Sequence, residues 1–475
     1  MLTFQDFEAE QNKPEFVRKA IQEHITSDEY KTAMLADKYD HEQNETINNY
    51  VRIIFSLLGN PIEDFTASNA KITSNFFHRL NTQRCMYLLG NGISFSDHKQ
   101  TVIDRNGTAS IIDETKMSLG KHFDTDIQTL GYYALIHGRC FGFWNVDRLK
   151  VFPITEFKPI VDEITGDLRA GIRFWRIDAK KPMQAVLYEE DGYTRYQTDE
   201  GAGNLDFHEV EGKRAYKINY QYSEADGVEE IDTENYISFP IVQMWGSKLH
   251  QSTLIGMQNK IDSFDLIRSG FANDLTDCSQ IYWILENCGG MSNAELAQFR
   301  DRLKINHIAV ADTSAGSKVT PYTQEIPYQA RKQYLDDIRA QIYEDFGGLD
   351  VHTVAAGATN DHIDAAYQPM DEEADDFEYQ VIEFIQRILS LIGIEDTPQF
   401  KRNRISNQAE QTQMIMSVAN YLDDETILQK LPFINVDEVM QILAKKGVED
   451  QSKFESEDGL GDDDDNEEGT RRAFA

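Results

Sequence analysis

The densest group of side chains with catalytic potential is a run of carboxylates between Asp371 and Asp376. Converging carboxylates bind divalent metal ions, and a metal nuclease would need such a cluster. The surrounding sequence, however, predicts one long helix, and successive residues of a helix point around its circumference. The carboxylates of this run would therefore not converge, and the pattern favours a solvated helix face over a metal centre. They are Asp371, Glu372, Glu373, Asp375 and Asp376.

Histidines and glycines give no stronger indication of chemistry. His352 and His362 flank a Gly/Ala-rich loop ten residues apart, without a third ligand nearby to complete a zinc site. Gly90 and Gly92 follow a predicted helix, and no Lys-Ser or Lys-Thr pair comes after them, which favours a helix end over a phosphate-binding loop. The G-x-x-x-x-G-K-[ST], G-x-S-x-G and H-E-x-x-H patterns are absent from the sequence. We therefore expect no enzymatic activity, no metal and no cofactor.

The four cysteines lack the paired spacing of a metal site or a disulfide framework. Cys85, Cys140, Cys278 and Cys288 are each predicted to be a small core thiol. Without disulfides, a cytosolic and reducing setting is the expected environment.

Composition is that of a globular protein with two or three domains: 475 residues, of which 40% are apolar and 27% charged. The N-terminus lacks the features of a signal peptide, and no run of about 18 apolar residues is long enough to cross a bilayer. The net charge of −35 argues against a protein that grips DNA, because phosphates are neutralised by Lys and Arg. Two explanations of the acidity stay open: a channel wall that repels sliding DNA, or simple solubility.

The chain is organised around two helical segments that bracket a small module. The first has apolar residues at steps of three and four, with polar residues such as Asp262, Asp265 and Asn273 on its other faces. The second begins after Pro327 and is stopped by Gly347 and Gly348. The apolar positions are Leu254, Met257, Ile261, Phe264, Ile267, Phe271 and Leu275 in the first helix, and Ala330, Tyr334, Ile338, Ile342 and Phe346 in the second.

The module between these helices is predicted to contain strands over 281–285, 305–311 and 318–326 and a short helix from Ser292 to Lys304. After the second helix, a loop of small residues runs from Leu349 to Asp361, followed by a long helix over 363–400. Pro369 lies near the start of that helix, and we expect it to kink the helix or to shift its beginning downstream.

The flanking regions predict an α+β protein. Residues 1–40 are polar with a helical tendency, clearest in the amphipathic piece EFVRKAIQEHI, and read as a mobile or peripheral arm. Helices are predicted over 43–59, 68–90 and 124–133. Short strands separated by turns follow between Phe141 and Trp245. Lys401, Arg402 and Arg404 form a basic patch, predicted to be a surface turn or a subunit contact. Residues 406–447 are predicted to be helical. The acidic run from Glu455 to Glu468 mimics the start of a calcium loop but lacks its final glutamate, which favours disorder.

Several collinear segments resemble one known family. They are IDSFDLIRSGFANDLTD, AQFRDRLKINHIAVAD and TQEIPYQARKQYLDDIRAQIYEDFG, preceded by NFFHRLNTQRCMYLLGNGISF and LGYYALIHGRCFGFW and followed by ISNQAEQTQMIMSVANYLDDETILQKLPFI. In this order they resemble the portal proteins, or head-to-tail connectors, of tailed double-stranded DNA bacteriophages. The branch they resemble is that of siphophages infecting Gram-positive hosts, and the resemblance covers roughly residues 45 to 445.

This resemblance implies a portal-type subunit made of a wing, a stem, a clip and a crown. It assigns residues 41–252 to a wing of helices and antiparallel strands, 253–277 and 328–348 to a two-helix stem, and 278–327 to a small α/β clip. It assigns 349–362 to a tunnel loop, 363–400 to a long kinked wing helix and 401–447 to a helical crown. Residues 448–475, the acidic tail, match no family motif.

The implied function is mechanical. A ring of about twelve copies at one capsid vertex would let DNA enter during packaging and leave at ejection. The expected partners are other copies of the chain, the terminase large subunit, a head-completion adaptor, and the major capsid and scaffolding proteins. Double-stranded DNA would pass loosely through the channel, and no membrane is involved. The expected location is the capsid portal vertex of the virion, and the host cytoplasm during assembly.

The resemblance also indicates which residues would act. The clip residues expected to contact terminase and then the adaptor are Arg300, Arg302, Lys304 and Lys318. The loop from Leu349 to Asp361 is expected to project into the DNA channel, and an ordinary helix–helix connector is its alternative interpretation. The residues expected to line the DNA channel are Val351, His352, Thr353, Val354, Ala355, Ala356, Gly357, Ala358, Thr359 and Asn360.

Two rival classes of function remain at this stage. A minor capsid component would lack the order helix, clip, helix, loop, long helix that this sequence shows. A nuclease or protease would need convergent catalytic residues, and the sequence offers none.

Overall fold

The computed structural model describes residues 2–55, 59–65, 67–103, 109–199, 203, 205–223, 227–278, 282–286, 294, 298, 318–322, 327–351, 360–404, 408–421, 423–431, 434, 438–439 and 442–443. The chain forms two compact units. The first comprises Met1–Lys31, Thr82–Ser252 and Leu349–Ala475, and the second comprises Thr32–Asn81 and Thr253–Gly348. The mixture of helices and antiparallel sheets confirms the predicted α+β class.

The helices of the described residues, in chain order, are α1 (Phe4–Ala9), α2 (Lys13–Thr26), α3 (Asp28–Asp40), α4 (Glu45–Asn48), α5 (Phe76–Leu89), α6 (Glu114–Leu119), α7 (Phe123–His137), α8 (Gln258–Cys278), α9 (Tyr328–Phe346), α10 (Asn360–Ile392), α11 (Gln408–Val418) and α12 (Asp424–Lys430). A short 3-10 turn, Ala419–Tyr421, separates the last two.

The strands are β1 (Ile53–Phe55), β2 (Pro61–Glu63), β3 (Ile93–Phe95), β4 (Lys99–Ile103), β5 (Ala109–Asp113), β6 (Arg139–Asn145), β7 (Arg148–Pro153), β8 (Phe157–Val161), β9 (Leu168–Trp175), β10 (Gln184–Glu189), β11 (Gly192–Thr198), β12 (Phe207–Arg214), β13 (Lys217–Ser223), β14 (Gly227–Glu234), β15 (Ile241–Trp245), β16 (Tyr282–Glu286), β17 (Lys318–Tyr322) and β18 (Pro398–Phe400). The strand-rich pattern predicted between Phe141 and Trp245 is confirmed.

The first unit contains a five-stranded antiparallel sheet in the order β12-β11-β10-β9-β8 and a three-stranded sheet in the order β15-β6-β7. Side chains of α1 and α2, including Phe7, Phe16 and Ile21, are buried against Ile172 and Leu187 of the larger sheet. The helical tendency predicted for residues 1–40 is confirmed, whereas a mobile arm is wrong for α1 and α2, because both pack on this sheet. The apolar face of α2 is sufficient to bind the segment to the sheet, because burying such side chains is worth about 1.5–3 kcal/mol each.

The smaller sheet contacts α7 and α10 through tightly packed side chains. Gly142 of β6 faces both helices: a Cβ atom there would lie 2.5 Å from Cζ of Phe384 and 2.8 Å from Cδ1 of Leu130. The close approach of α10 to the sheet thus depends on the missing side chain.

The long helix α10 continues through Pro369 and begins at Asn360, upstream of the proline. The expected downstream shift of its start is therefore wrong. Pro369 removes one backbone hydrogen bond, while the apolar stripe from Ile363 to Leu391 is buried and stabilises the helix on both sides of it. The helix ends at Ile392 rather than near 400, and residues 398–400 instead form β18, which pairs with β3.

The second unit is built on α8 and α9, which run antiparallel. Lys260 forms an ion pair with Asp345 near one end of the helix pair, and Arg331 pairs with Asp274 near the other. Helix α8 begins at Gln258, five residues later than predicted. Helix α9 ends at Phe346, and the capping residue Gly347 adopts the left-handed conformation (φ 67°) favoured by glycine.

Residues 43–59 do not form the predicted helix. Of the described residues in this range, 43–55 and 59, only Glu45–Asn48 is helical, and Ile53–Phe55 pairs antiparallel with Pro61–Glu63. Val51, Ile53 and Ile54 are β-branched and therefore favour a strand. Gly59, which precedes β2, has a φ of 80°, a conformation that glycine adopts readily. The helix predicted over 68–90 begins only at Phe76.

Candidate functional site

The loop predicted to face a DNA channel joins α9 to α10. Val351 is 56% exposed, and Asn360 is the first residue of α10. The other predicted loop residues, His352, Thr353, Val354, Ala355, Ala356, Gly357, Ala358 and Thr359, lie outside the described residues. The structure therefore describes the two ends of the loop, at Val351 and Asn360.

The entry to the loop is held by one glutamine. The amide of Gln83 on α5 donates to the carbonyl oxygen of Leu349 at 3.0 Å, and its Oε1 accepts from the Leu349 N–H at 3.1 Å. A side chain that satisfies both backbone groups of one residue fixes that residue's position and orientation. Leu349 is consequently an anchored point from which the loop starts.

The exit from the loop belongs to the same apolar cluster as the entry. The buried residues Tyr87, Leu349, Ile363, Tyr367 and Met370 pack together, and the rings of Tyr87 and Tyr367 stack with centroids 5.7 Å apart. Since Leu349 and Ile363 share this cluster, both ends of the loop are tied to α5 and to the first turns of α10.

Two arginines from the segment after β18 bind the carboxylates of α10. Arg402 contacts Asp371 at 3.0 Å and Glu378 at 3.0 Å, and it also binds Asp375. These carboxylates are spaced four and three residues apart, so they lie on one face of the helix. The prediction of a solvated helix face is therefore corrected, because Asp371 and Glu378 are partly buried and bind Arg402. Of the two interpretations of the basic patch, the surface turn is corrected and the subunit contact stays a prediction.

Arg404 completes this charge network at the loop exit. Its Nε donates to the Tyr87 hydroxyl at 2.9 Å, and its guanidinium contacts Asp364 at 3.3 Å and also Asp371. The Tyr87 hydroxyl itself donates to Asp371. Burial, and to a smaller extent this hydrogen bond, raise the pKa of Tyr87. Burial alone would lower the pKa of Arg402, but the hydrogen bonds to Asp375, Glu378 and Asp371 outweigh it and raise that pKa. Arg402 and Arg404 are thus engaged by carboxylates of their own chain.

The described residues were also compared with the requirements of a metal site. Among the residues that the structure describes, no group of three or more His, Cys, Asp or Glu side chains is arranged to hold a metal ion. His362 is exposed. Cys85 and Cys140 are free and buried, and burial raises the pKa of both thiols, to about 12 for Cys85.

In the second unit, α8 uses a stripe of polar residues to bind the segment 39–72. Tyr39 and Thr46 donate to the two oxygens of Asp262 at 2.6 and 2.7 Å. Further along the helix, Asn44 donates to Asp265. Asp265 is fully buried, and burial raises its pKa.

The stripe continues toward the end of α8. Ser269 accepts from the Ile72 N–H at 2.9 Å, and Asn273 accepts from the Ala70 N–H at 2.6 Å. The sequence placed Asp262, Asp265 and Asn273 on the faces of this helix opposite its apolar stripe, and it did not indicate which segment would cover them. Residue type gave no signal for this burial, because Asp, Asn and Ser are mostly exposed in proteins.

The apolar stripes of α8 and α9 are buried along part of their length and exposed along the rest. Ile261 and Phe264 of α8 and Ile338 and Ile342 of α9 are buried, and Phe264 packs edge-on against Phe76 with ring centroids 5.0 Å apart. Toward the Cys278 end of α8 and the Tyr328 end of α9, the apolar residues become exposed. The exposed fractions are 37% for Ile267, 55% for Leu275, 55% for Tyr328 and 46% for Tyr334.

Comparison with known proteins decides the family. A family model described as "Phage portal protein, SPP1 Gp6-like" matches residues 19–453. The chain belongs to this portal family. The resemblance to portal proteins of siphophages is therefore confirmed, and the family is one of structural virion proteins rather than enzymes.

Two curated relatives carry the same description. The portal protein of Clostridium phage phiCD119 is 24% identical over 427 residues, covering 84% of this chain and 89% of the relative. The portal protein of Bacillus phage SPP1 is 22% identical over 463 residues, covering 89% and 86% respectively. A solved structure titled "Neck of native GTA particle computed with C12 symmetry" aligns with a TM-score of 0.36 and 9% identity, over 81% of this chain and 96% of that one.

The clip residues predicted from the portal resemblance are described only in part. Strands β16 and β17 pair antiparallel, with Lys318 opposite Glu286. Arg300, Arg302 and Lys304 lie outside the described residues, as does the strand predicted over 305–311. Within the described ranges, no helix is long and apolar enough to cross a membrane.

Proposed function

We propose that this portal-family chain forms a ring-shaped channel at one capsid vertex, through which DNA is packaged and later ejected. The observation that carries the proposal is the exposed apolar end of the α8–α9 pair. Ile267, Leu275, Tyr328 and Tyr334 are the continuation of stripes that are otherwise buried, and apolar residues in such a row mark a protein contact. A head-to-tail contact between identical subunits closes into a ring. The helix pair is then the stem.

The loop between Val351 and Asn360 is proposed to project into the channel and to contact DNA loosely. Both of its ends are held, by Gln83 and by the Tyr87 cluster, so a loop emerging there has a defined direction. It contains no Lys or Arg, and the arginines near its exit are bound to carboxylates. DNA can slide past such a surface because few phosphate contacts form.

The clip residues Arg300, Arg302, Lys304 and Lys318 are proposed to bind the terminase large subunit during packaging and a head-completion adaptor afterwards. The major capsid and scaffolding proteins would surround the ring as it assembles in the host cytoplasm. Charge reversal of Arg300 and Arg302 should abolish capture of purified terminase by the ring and leave ring formation unchanged. Lys31→Glu, whose side chain is 65% exposed in the first unit, is the control, and equal loss of capture in both variants would contradict the assignment.

The ring itself is tested by native mass measurement together with negative-stain imaging of the purified chain. We expect rings of about twelve subunits with a central hole. Replacing Leu275 and Tyr334 by Ser should disfavour the ring, whereas Ile237→Ser, at a residue 93% exposed in the first unit, should not. A wild-type chain that stays monomeric at every concentration, even when co-expressed with the capsid and scaffolding proteins, would refute the proposal.

The channel loop is tested in the phage by adding positive charge. Ala356→Lys should slow packaging and reduce the number of DNA-filled heads, because each added lysine can hold a phosphate. Ser118→Lys, at an exposed position of α6, is the matched control. Normal filling of heads that carry Ala356→Lys would favour the alternative of an ordinary helix connector.

A further inference from the structure

The segment Lys401–Arg404, which follows β18, is held by several separate parts of the first unit. The Nζ of Lys401 donates to the carbonyl oxygen of Ile434 at 3.0 Å, and the carbonyl oxygen of Lys401 accepts from the side-chain amide of Asn91 at 2.9 Å. Arg402 binds carboxylates of α10. A segment held at successive residues opens as one unit rather than residue by residue. We call Lys401–Arg404 the clasp.

One end of the clasp is tied to the helices that follow it. Ile434, which Lys401 binds, belongs to a small apolar cluster that also holds side chains of α11 and α12. The buried members of this cluster are Leu431, Ile434 and Val439, and Ile415, Ile427, Leu428 and Leu443 pack against them partly buried. The hydrogen bond from Lys401 therefore attaches the clasp to the cluster that joins α11 and α12.

The other end of the clasp holds Tyr87 of α5 at two points. The N–H of Asn403 donates to the carbonyl oxygen of Tyr87 at 2.9 Å, and Nε of Arg404 donates to the Tyr87 hydroxyl at 2.9 Å. The guanidinium carbon of Arg404 also lies 5.2 Å from the centroid of the Tyr367 ring. Tyr87 is thus bound both at its backbone and at the tip of its side chain, which fixes its position and its orientation.

Tyr87 in turn packs against both ends of the proposed channel loop. Its ring stacks on Tyr367 of α10, and Leu349 at the loop entry belongs to the same buried cluster. The direct contact between Arg404 and Asp364 contributes less, because the side chain of Asp364 is 64% exposed. The clasp therefore reaches the two loop ends mainly through Tyr87.

We infer that the clasp makes the position of the channel loop depend on helices α11 and α12. Lys401 and Arg404 are then positioning residues: neither lies in the loop, and both act on its ends through Tyr87. Side chains packed at the density of a protein interior transmit a displacement to their neighbours. The inference rests on the proposed channel, because a shift of the loop ends matters for DNA only if the loop faces it.

Hydrogen exchange of the purified chain, followed by mass spectrometry, tests this inference. The amides to follow are those of Asp364–Tyr367, which donate to the first turn of α10. Arg404→Met should raise their exchange rate by about fivefold or more, because it removes hydrogen bonds made by a charged group. Lys401→Met should raise the same rate by about twofold or more, although the side-chain hydrogen bond that it removes is to Ile434.

Lys71→Met is the matched control for Lys401→Met. The Nζ of Lys71 also donates to a backbone carbonyl oxygen, that of Asn48, but in the second unit. Exchange at Asp364–Tyr367 should therefore stay at the wild-type rate in this control. The amides of α7, Phe123–His137, should exchange at the wild-type rate in every variant, which shows that the first unit remains folded.

A double variant distinguishes one connected path from two local effects. If Lys401 acts through the clasp, Lys401→Met should add little to the exchange rate that Arg404→Met already gives at Asp364–Tyr367. Full multiplication of the two effects would overturn the inference. So would faster exchange around Ile434 in Lys401→Met with the wild-type rate at Asp364–Tyr367. Either result leaves the ring and the channel standing, because those are tested by assembly and by DNA packaging.

Discussion

Replacing Arg402 by methionine removes the guanidinium that joins the segment after β18 to helix α10. Methionine keeps much of the side-chain volume and loses the charge. Arg402 is 23% exposed, and its partners Asp371 and Glu378 are 25% and 28% exposed, whereas Asp375 is 60% exposed. The contribution of Asp375 must therefore be discounted strongly for solvent screening.

The expected loss is about 2–3 kcal/mol. The two partly buried contacts are charge-assisted hydrogen bonds, each worth about 1 kcal/mol after partial screening. The pair with Asp375 adds a few tenths of a kcal/mol. Without the arginine, the three carboxylates on one helix face repel one another, which adds about 0.3–0.5 kcal/mol per neighbouring pair.

Thermal unfolding of matched preparations measures this effect. A loss of this size lowers the midpoint by about 5 °C in a unit of this size. Raising the salt concentration should shrink the difference between wild type and variant, because screening weakens the wild-type contacts.

Arg387→Met is the matched control on the same helix. Arg387 pairs with Glu383 four residues away, and the two side chains are 55% and 61% exposed, so we expect a change within about 0.5 kcal/mol. If Arg402→Met unfolds at the same temperature as Arg387→Met, the network does not stabilise the fold and the reasoning is refuted.

Three further predictions concern stability, each followed by thermal unfolding. Burial lowers the pKa of His24 to about 4 from an ordinary value of 6.5, so the folded state favours the neutral imidazole. The free energy of unfolding should therefore be highest above about pH 6.5 and should decline as the pH falls toward 4. His24→Gln should remove this decline. Gly142→Ala should cost about 1–3 kcal/mol because its Cβ would lie 2.5 Å from Phe384, whereas Gly270→Ala, with open space around it, should not destabilise the chain. Burial raises the pKa of Asp265, so the free energy of unfolding should fall as the pH rises above 3.8, the ordinary pKa of this carboxyl. Asp265→Asn should flatten this pH dependence of stability. An unchanged pH profile would show that the carboxyl does not limit stability.

The sequence by itself determined the fold class, the helix pair with its intervening module, and the strand-rich region, because these depend on local periodicity. A stripe such as Ile261, Phe264, Ile267 and Phe271 repeats at helical spacing whatever lies beside it. Gly347 ended α9 as predicted, since only glycine adopts its left-handed conformation readily. The order of the segments also indicated the portal family, which the family match confirmed.

Only the tertiary structure decided which polar residues face inward. Asp262 and Asp265 read as surface residues, but Tyr39, Thr46 and Asn44 reach them from more than two hundred residues away. Arg402 likewise meets its carboxylates only in the folded chain, because Asp371, Asp375 and Glu378 precede it by 31, 27 and 24 residues. Short polar side chains pack on either side of a helix if a partner satisfies their hydrogen bonds, and distant segments of the chain supply those partners only once it has folded.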